Sequence, residues 1–565
     1  MKLRKHLIFL ILLSLVCPVS SSGAKPKVIH VVTGAHQDIA FKTSYQESMN
    51  IYDEQLRKHI ELIETDPALR FSMGNTYNIK DFLKRNPDFK PRLRYLMETG
   101  RISGPAQWVG GEPEWYTGEF LARYVAYSKY WLMSEMKHTP HWGQLNDMLS
   151  WTPQLAQILN KSGVDLVQVN PTRIGNYYLP EETPSYFVGL DGSKVIIYNT
   201  DYDGLVNFSD QDKSQPFRYI KHFGPYRHML MSVIGDTGTE ADRTKRLMDH
   251  IKWWNRKQAP KTGVRLELNT YEEAVPYIKE EALRVPPRKY SGLAYIWPWA
   301  GPWNVPSMFY HAQTEYNLPT AESLLAMEEL LGIAPYPEER INQAWEDIFW
   351  TIDHNWGSDE REKVTSNRQA YKVSQELLNR GLTLLSENVK SPSMGTPLLV
   401  YNPLNWERSG PVLVNIPDFP KKRMEVVDWR GSPVSSQPVT VFKEVPLDGK
   451  GRCRVGSAGK EKKQVLLLWA EKVPALGYKR FYFRPKGRRK ISSSLKVSKK
   501  SIENRFFRIT IDPKHKTFSI YDKSTDRELA NAKRSGGMER INSYYWTMDK
   551  KKKGKLRSQM KIERV

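Results

Sequence analysis

The sequence predicts an α/β barrel-like domain with mostly parallel strands, followed by an α-helical bundle and a C-terminal β-sandwich region that reads as truncated. Three changes of texture predict it. From Lys27, short apolar runs alternate with longer amphipathic stretches, the rhythm of a parallel sheet flanked by helices. Around 308–388 the chain turns to long helical stretches rich in Glu, Leu and Ala, broken at IAPYP. After about 397 the helices stop, and apolar runs are separated by Gly, Pro and Lys-rich turns.

The elements follow in order. Residues 1–24 read as an export signal: cationic MKLRK, apolar Leu7–Val16, and a small-x-small end at Ser22–Ala24. A periplasmic or extracellular location is therefore expected. The apolar stretch is too short to span a bilayer, and no later run approaches about 18 apolar residues, so no stable membrane insertion is expected. Residues 25–305 then read as the barrel-like domain. KVIHVVT, RFSM, RISGP, HWGQLN and DLVQV read as strands, with helices over 43–66, 78–99, 117–136 and 152–162. VIIYNT, HMLMSVIG and VRLELN continue the strands, with helices over 239–257 and 271–283. Residues 306–390 read as the bundle, 396–490 as a β-domain, and 491–565 as the start of a further, incomplete sandwich.

Composition narrows the class. With 565 residues, 40% hydrophobic and 26% charged, the chain is globular and long enough for several folding units. Its two cysteines, Cys17 and Cys453, exclude a disulfide scaffold. The net charge of +23 is unevenly placed. Residues 1–420 carry 46 Lys+Arg against 48 Asp+Glu, and residues 421–565 carry 39 against 14. Runs such as KGRRK and KKKKGK thus belong to a solvated basic tail surface, and no nucleic-acid partner is expected.

In parallel sheets, ligand-binding residues collect where strands end at their carboxyl side. Four segments put chemistry there. GAHQDIAF ends the first strand with His36 and Asp38, two apart, able to offer one imidazole and one carboxylate to a metal or to cap a turn. Asp147 follows a strand and precedes a helix that faces a core through Leu155, Ile158 and Leu159. Asp236 again ends a strand, before a glycine-bearing turn and a helix. His354, in AWEDIFWTIDHNWGSDERE, lies on or at the end of an apolar helix, where a lone histidine is ordinarily a core residue. Trp297, Trp299 and Trp303 form either a sugar-stacking wall or a packing cluster between barrel and bundle.

Taken together, these segments resemble glycoside hydrolase family 38, the zinc-dependent retaining α-mannosidases. GAHQDIAF is similar to the family's first strand-end motif. The stretch RISGPAQWVGGEPEWYTGEFLARYVAYSKYWL is similar to its Gly-Glu-x-x-x-Arg helix, here Gly118, Glu119 and Arg123. DMLSWTPQLAQILNKSGV resembles the segment that begins with the nucleophile. GDTGTEADRT, WTIDHNWG and the strands from PLLVYNPL onward follow in the family's order. The resemblance implies one zinc per chain held by His36, Asp38, Asp147 and His354, with Asp147 doubling as nucleophile and Asp236 as candidate acid/base. It implies a glycan or oligosaccharide substrate. The chain departs from the pattern at Phe41, at Leu149-Ser150 after the nucleophile, and at Asn355 after the histidine.

Retaining hydrolysis asks for these residue types, because one carboxylate attacks the anomeric carbon while a second carboxyl, about 5–5.5 Å away, protonates the leaving oxygen. A metal-dependent polysaccharide deacetylase and a non-catalytic carbohydrate-binding relative stand as alternatives.

Overall fold

The computed structural model describes residues 27–40, 43–111, 113–146, 150–170, 183–200, 215–221, 223–235, 241–291, 294–295, 305–353, 361–416, 424–442, 462–485, 495–512, 517–530, 545–549 and 552–555. It divides into two units, the first holding residues up to 390 with two short later stretches, the second most of the remainder.

The first unit begins with β1 (Lys27–Ala35), buried along nearly its whole length. Such a run has no polar face, as expected of a parallel strand covered on both sides. α1 (Tyr45–Thr65) starts with a capping box in which Ser44 and Glu47 satisfy each other's backbone N–H. β2 (Phe71–Ser72) leads to α2 (Thr76–Arg85), capped by Asn75, and then to α3 (Lys90–Glu98). The single helix expected over 78–99 is therefore two. Pro87 has no N–H to continue the ladder and opens a 3-10 turn over Pro87–Phe89.

Next come β3 (Ile102–Ser103), α4 (Gly118–Met136), β4 (Trp142–Asn146), β5 (Ser150–Trp151) and α5 (Pro153–Lys161). They are followed by β6 (Leu166–Asn170), β7 (Ser185–Val188), β8 (Lys194–Asn199), α6 (Gln215–Ile220) and β9 (His228–Gly235). Then come α7 (Ala241–Lys257), α8 (Ala259–Thr262), β10 (Val264–Asn269), α9 (Tyr271–Arg284), β11 (Arg288–Tyr290) and β12 (Ala294–Tyr295). Three further helices are α10 (Val305–Leu330), α11 (Glu338–Phe349) and α12 (Arg361–Asn388).

Among the described residues the main strands of this unit form two sheets, and no closed barrel is described. In the first, β1 pairs in parallel with β9, from Val28↔His228 to Ala35↔Gly235, and with β10, from Lys27↔Val264 to Val32↔Asn269. β1 meets β2 through Gly34↔Ser72, and β2 pairs in parallel with β3. In the second, β4, β6 and β8 are parallel, while β7 runs antiparallel to β8. The sequence rhythm missed β7, which the turn at Gly189–Ser193 folds back onto β8.

One core gathers around the first sheet, with Ile29, Val31, Phe71, Trp142, Leu230 and Trp254 all buried. A second joins the second sheet to the long helices through Phe120, Val167, Leu318, Trp345, Phe349 and Leu377.

In the second unit, strands Thr396–Asn402, Gly477–Pro485, Met424–Asp428 and Pro433–Val434 make one antiparallel sheet. Strands Arg408–Val414, Lys462–Val473 and Ser436–Phe442 make another. Val400, Val426, Leu466, Leu468, Phe481 and Phe483 form their shared core. A five-stranded antiparallel sheet over 496–530 follows, and none of its described residues is buried.

Candidate active site

Polar residues are buried where β1 ends. His36, Gln37 and Asp38 are each about 95% shielded from solvent, directly after an apolar strand. Parallel pairing with β9 carries them there: the register ends at Ala35↔Gly235, and the His36 N–H donates to the Gly235 carbonyl at 3.2 Å. The chain after β2 lies close against the same spot. A Cβ on Gly74 would come within 2.3 Å of the Ala35 carbonyl oxygen, so only glycine permits the approach.

The His36 Nε2 and Asp38 Oδ1 lie 2.8 Å apart. The turn behind them is pinned residue by residue. Tyr52 donates its hydroxyl to the Asp38 carbonyl at 2.8 Å, and the Ile39 N–H donates to Asp353 Oδ1 at 2.8 Å. The Ala40 N–H donates to Ser48 Oγ at 3.2 Å. Ala40 itself sits at φ +54°, a left-handed conformation that a residue other than glycine holds only when its surroundings enforce it.

From the second sheet, Gln144 on β4 donates its amide to the Ala35 carbonyl at 3.3 Å. Gln144 is held in turn by Gln107, whose Oε1 accepts from the Gln144 N–H at 3.0 Å and whose amide donates to the Gln144 carbonyl. A small polar cavity of about 10 Å³ lies here, lined by His36, Gln37, Asn75, Gln144 and Asp353, with Gly74 and Gly110. The Gln37 Oε1 in it has no hydrogen-bond partner among the described residues. Burial, reinforced by the negative charge of Asp353, pushes the Tyr124 phenol well above the ordinary tyrosine range.

Asp147, Asp236, His354, Trp297, Trp299 and Trp303 lie outside the described residues. Their sequence neighbours do not. Gly235, which immediately precedes Asp236, is bonded to His36, and Asp353, which immediately precedes His354, is bonded to Ile39. Gln144, three positions before Asp147, is bonded to Ala35. Three segments far apart in sequence thus converge on one strand end.

Among the described residues no group of three or more His, Cys, Asp or Glu side chains could hold a metal ion. His36 and Asp38 supply a nitrogen and an oxygen donor side by side, the kind of pair zinc accepts. The Glu119 and Arg123 of the helix motif serve packing. Arg123 bonds Glu119 at 2.7 Å and Glu322 at 2.8 Å, and stacks over Trp345, tying α4 to α10 and α11.

Sequence reasoning missed Asp353, Gln144, Gln107 and Tyr52. Asp353 had a signal, as it adjoins His354 in WTIDHNWG, whereas Tyr52 and Gln144 occupy positions that any helix or strand pattern admits and Gln107 lies in the loop after β3.

Comparison with known proteins adds the following. Residues 26–301 match the model of the glycosyl hydrolases family 38 N-terminal domain. An α-mannosidase from Enterococcus faecalis V583 superposes with a TM-score of 0.65 at 16% identity, covering 89% of this chain and 61% of its own. A protein in the glycosyl hydrolase family 38 from Enterococcus faecalis superposes with a TM-score of 0.61 at 15% identity, covering 92% and 64%. The chain therefore spans less than two thirds of the length of either. No curated protein matches it. No helix among the described residues is long and apolar enough to cross a membrane.

Proposed function

We propose that the protein, whose residues 26–301 match the family 38 glycosyl hydrolase N-terminal domain, is an exported, zinc-dependent glycoside hydrolase, a retaining α-mannosidase acting on mannose-containing glycans. The observation that carries this reading is the convergence at the end of β1, where the residues leading into Asp236 and His354 hydrogen-bond to the turn bearing His36 and Asp38.

In this reading His36, Asp38, Asp147 and His354 hold the metal, which when bound supplies charge stabilisation and a grip on sugar hydroxyls. The protein groups do the rest. Asp147 attacks the anomeric carbon, and Asp236 gives its proton to the leaving oxygen and then recovers it from the incoming water. Trp297, Trp299 and Trp303 offer ring faces to the sugar. Burial of the His36–Asp38 pair keeps water from competing for its donor atoms. The export signal over residues 1–24 delivers the chain to the periplasm or cell exterior.

The test is release of p-nitrophenol from a panel of α-glycosides, with and without chelator. Hydrolysis of the α-mannoside that disappears on chelation and returns with zinc is the expected result. Turnover unaffected by metal removal overturns the zinc assignment. Release of acetate from acetylated polysaccharide without any glycosidase activity would replace the whole reading with a deacetylase.

A further inference from the structure

The start of α12 holds a lysine with no exposed surface, Lys363. A lysine is almost never fully buried unless its ammonium is well satisfied, and an apolar side chain of that length would pack there at less cost. The Lys363 Nζ donates to the main-chain carbonyl of Asp353.

Its neighbours on the helix grip the same stretch. Trp350 Nε1 donates to Ser366 Oγ at 3.1 Å, and Ser366 Oγ donates to the Asp347 carbonyl at 2.9 Å. Thr351 Oγ1 donates to Asn367 Oδ1 at 3.0 Å, and Asn367 Nδ2 donates to Ser307 Oγ at 2.6 Å. The end of α11 is thereby fixed to α12 and α10 by polar bonds as well as by the apolar core they share. Asp353 then extends that hold to β1: its side chain accepts the Ile39 N–H, 314 residues away in sequence, while its carbonyl is held by Lys363.

We propose that Asp353 and Lys363 are positioning residues that set the His36–Asp38 turn against the segment continuing into His354. The affinity and ligand geometry of a bound divalent cation then depend on both. This rests on the zinc reading above. The physical ground is that metal ligands are oriented by the hydrogen bonds behind them, and that a backbone bond from a buried ammonium is stronger than one between neutral groups.

The experiment loads the metal-stripped full chain with Co²⁺ and follows affinity and the visible ligand-field bands. Lys363→Met and Asp353→Ala are expected to weaken Co²⁺ binding about 10–100-fold and to shift the bands. Asp353→Asn, whose amide oxygen still accepts from Ile39, is expected to recover most of the affinity. Leu377→Ala, a cavity in the buried face of the same helix, is expected to lower stability and leave affinity and bands as in the wild type. Wild-type affinity and spectrum in Lys363→Met and Asp353→Ala overturn the inference alone. Should Asp353→Ala or Lys363→Met fail to fold, the other decides. Failure of the wild-type chain to bind Co²⁺ overturns the zinc reading, and the inference falls with it.

Discussion

Two histidines stand at the two ends of one strand, and their neighbours give them opposite characters. His30, inside β1, is enclosed. Its Nδ1 lies 2.8 Å from Asn269 Oδ1, its Nε2 lies 2.9 Å from His228 Nδ1, and its ring stacks on His228 and Tyr277. Both ring nitrogens are matched by protein groups, and burial pushes its pKa down to about 4, with the nearby His228 adding to the effect and the Asn269 hydrogen bond opposing it. His36, just beyond the strand, instead borders a cavity lined by polar side chains and meets a carboxylate. Both side chains are buried. The two imidazoles differ in their polar neighbours, a closed set around His30 against a carboxylate and a small polar cavity at His36.

The largest effect expected concerns the open end. Asp147→Asn should fold normally and lose turnover by about 10⁴-fold or more, since no other group replaces the attacking oxygen. Asp236→Asn should lose far less on aryl glycosides than on unactivated glycans, because a good leaving group needs little protonation. Equal loss on both substrate types would remove Asp236 from the acid role.

Next, the double variant His36→Ala, Asp38→Ala should abolish metal retention, measured by elemental analysis, and lower activity about 10³-fold or more. His30→Leu should retain the metal. Full metal stoichiometry in the double variant would break the contrast between the two ends.

At the closed end the effect should fall on stability. His30→Leu leaves Asn269 and His228 without their partner and is expected to cost about 2–3 kcal/mol in denaturant unfolding.

The pH dependence sharpens this further. His30 and His59 both have pKa values lowered from 6.5 to about 4, chiefly by burial. The unfolded chain therefore takes up protons between those values that the folded chain refuses. Their contribution to stability is complete above pH 6.5 and is lost as pH falls toward 4. Each histidine adds up to about 1.4 kcal/mol per pH unit of slope in that window, and His30→Leu should flatten the curve by that amount.

The smallest effect is expected far from either end. Arg340 and Glu376 pair across α11 and α12 at 2.7 Å with both side chains more than half exposed, and Arg340→Ala should change stability by less than about 0.5 kcal/mol.

The sequence by itself determined a good deal. The continuous apolar run of β1 marked a strand buried on both faces, and the change from apolar residues to Gly34, His36 and Asp38 marked where it ends in a polar site. Helix positions were legible from periodicity, and the structure opens α1 and α9 with capping boxes, Ser44 with Glu47 and Thr270 with Glu273. These signals are local, since a strand's pattern or a helix's cap is written within a few residues.

Tertiary structure decided the rest. Nothing within the reach of a periodic pattern links Ile39 to Asp353 or Ala35 to Gln144, because those bonds exist only once sheets and helices are packed. Lys363 reads on its own as one more solvated lysine of an amphipathic helix. It is the Asp353 carbonyl brought over it, and the complete burial of its side chain, that make it part of the site's support. The physical reason is one of range. Hydrophobic burial imprints a period on the sequence, whereas a buried polar bond joins two single residues and leaves no pattern in the chain between them.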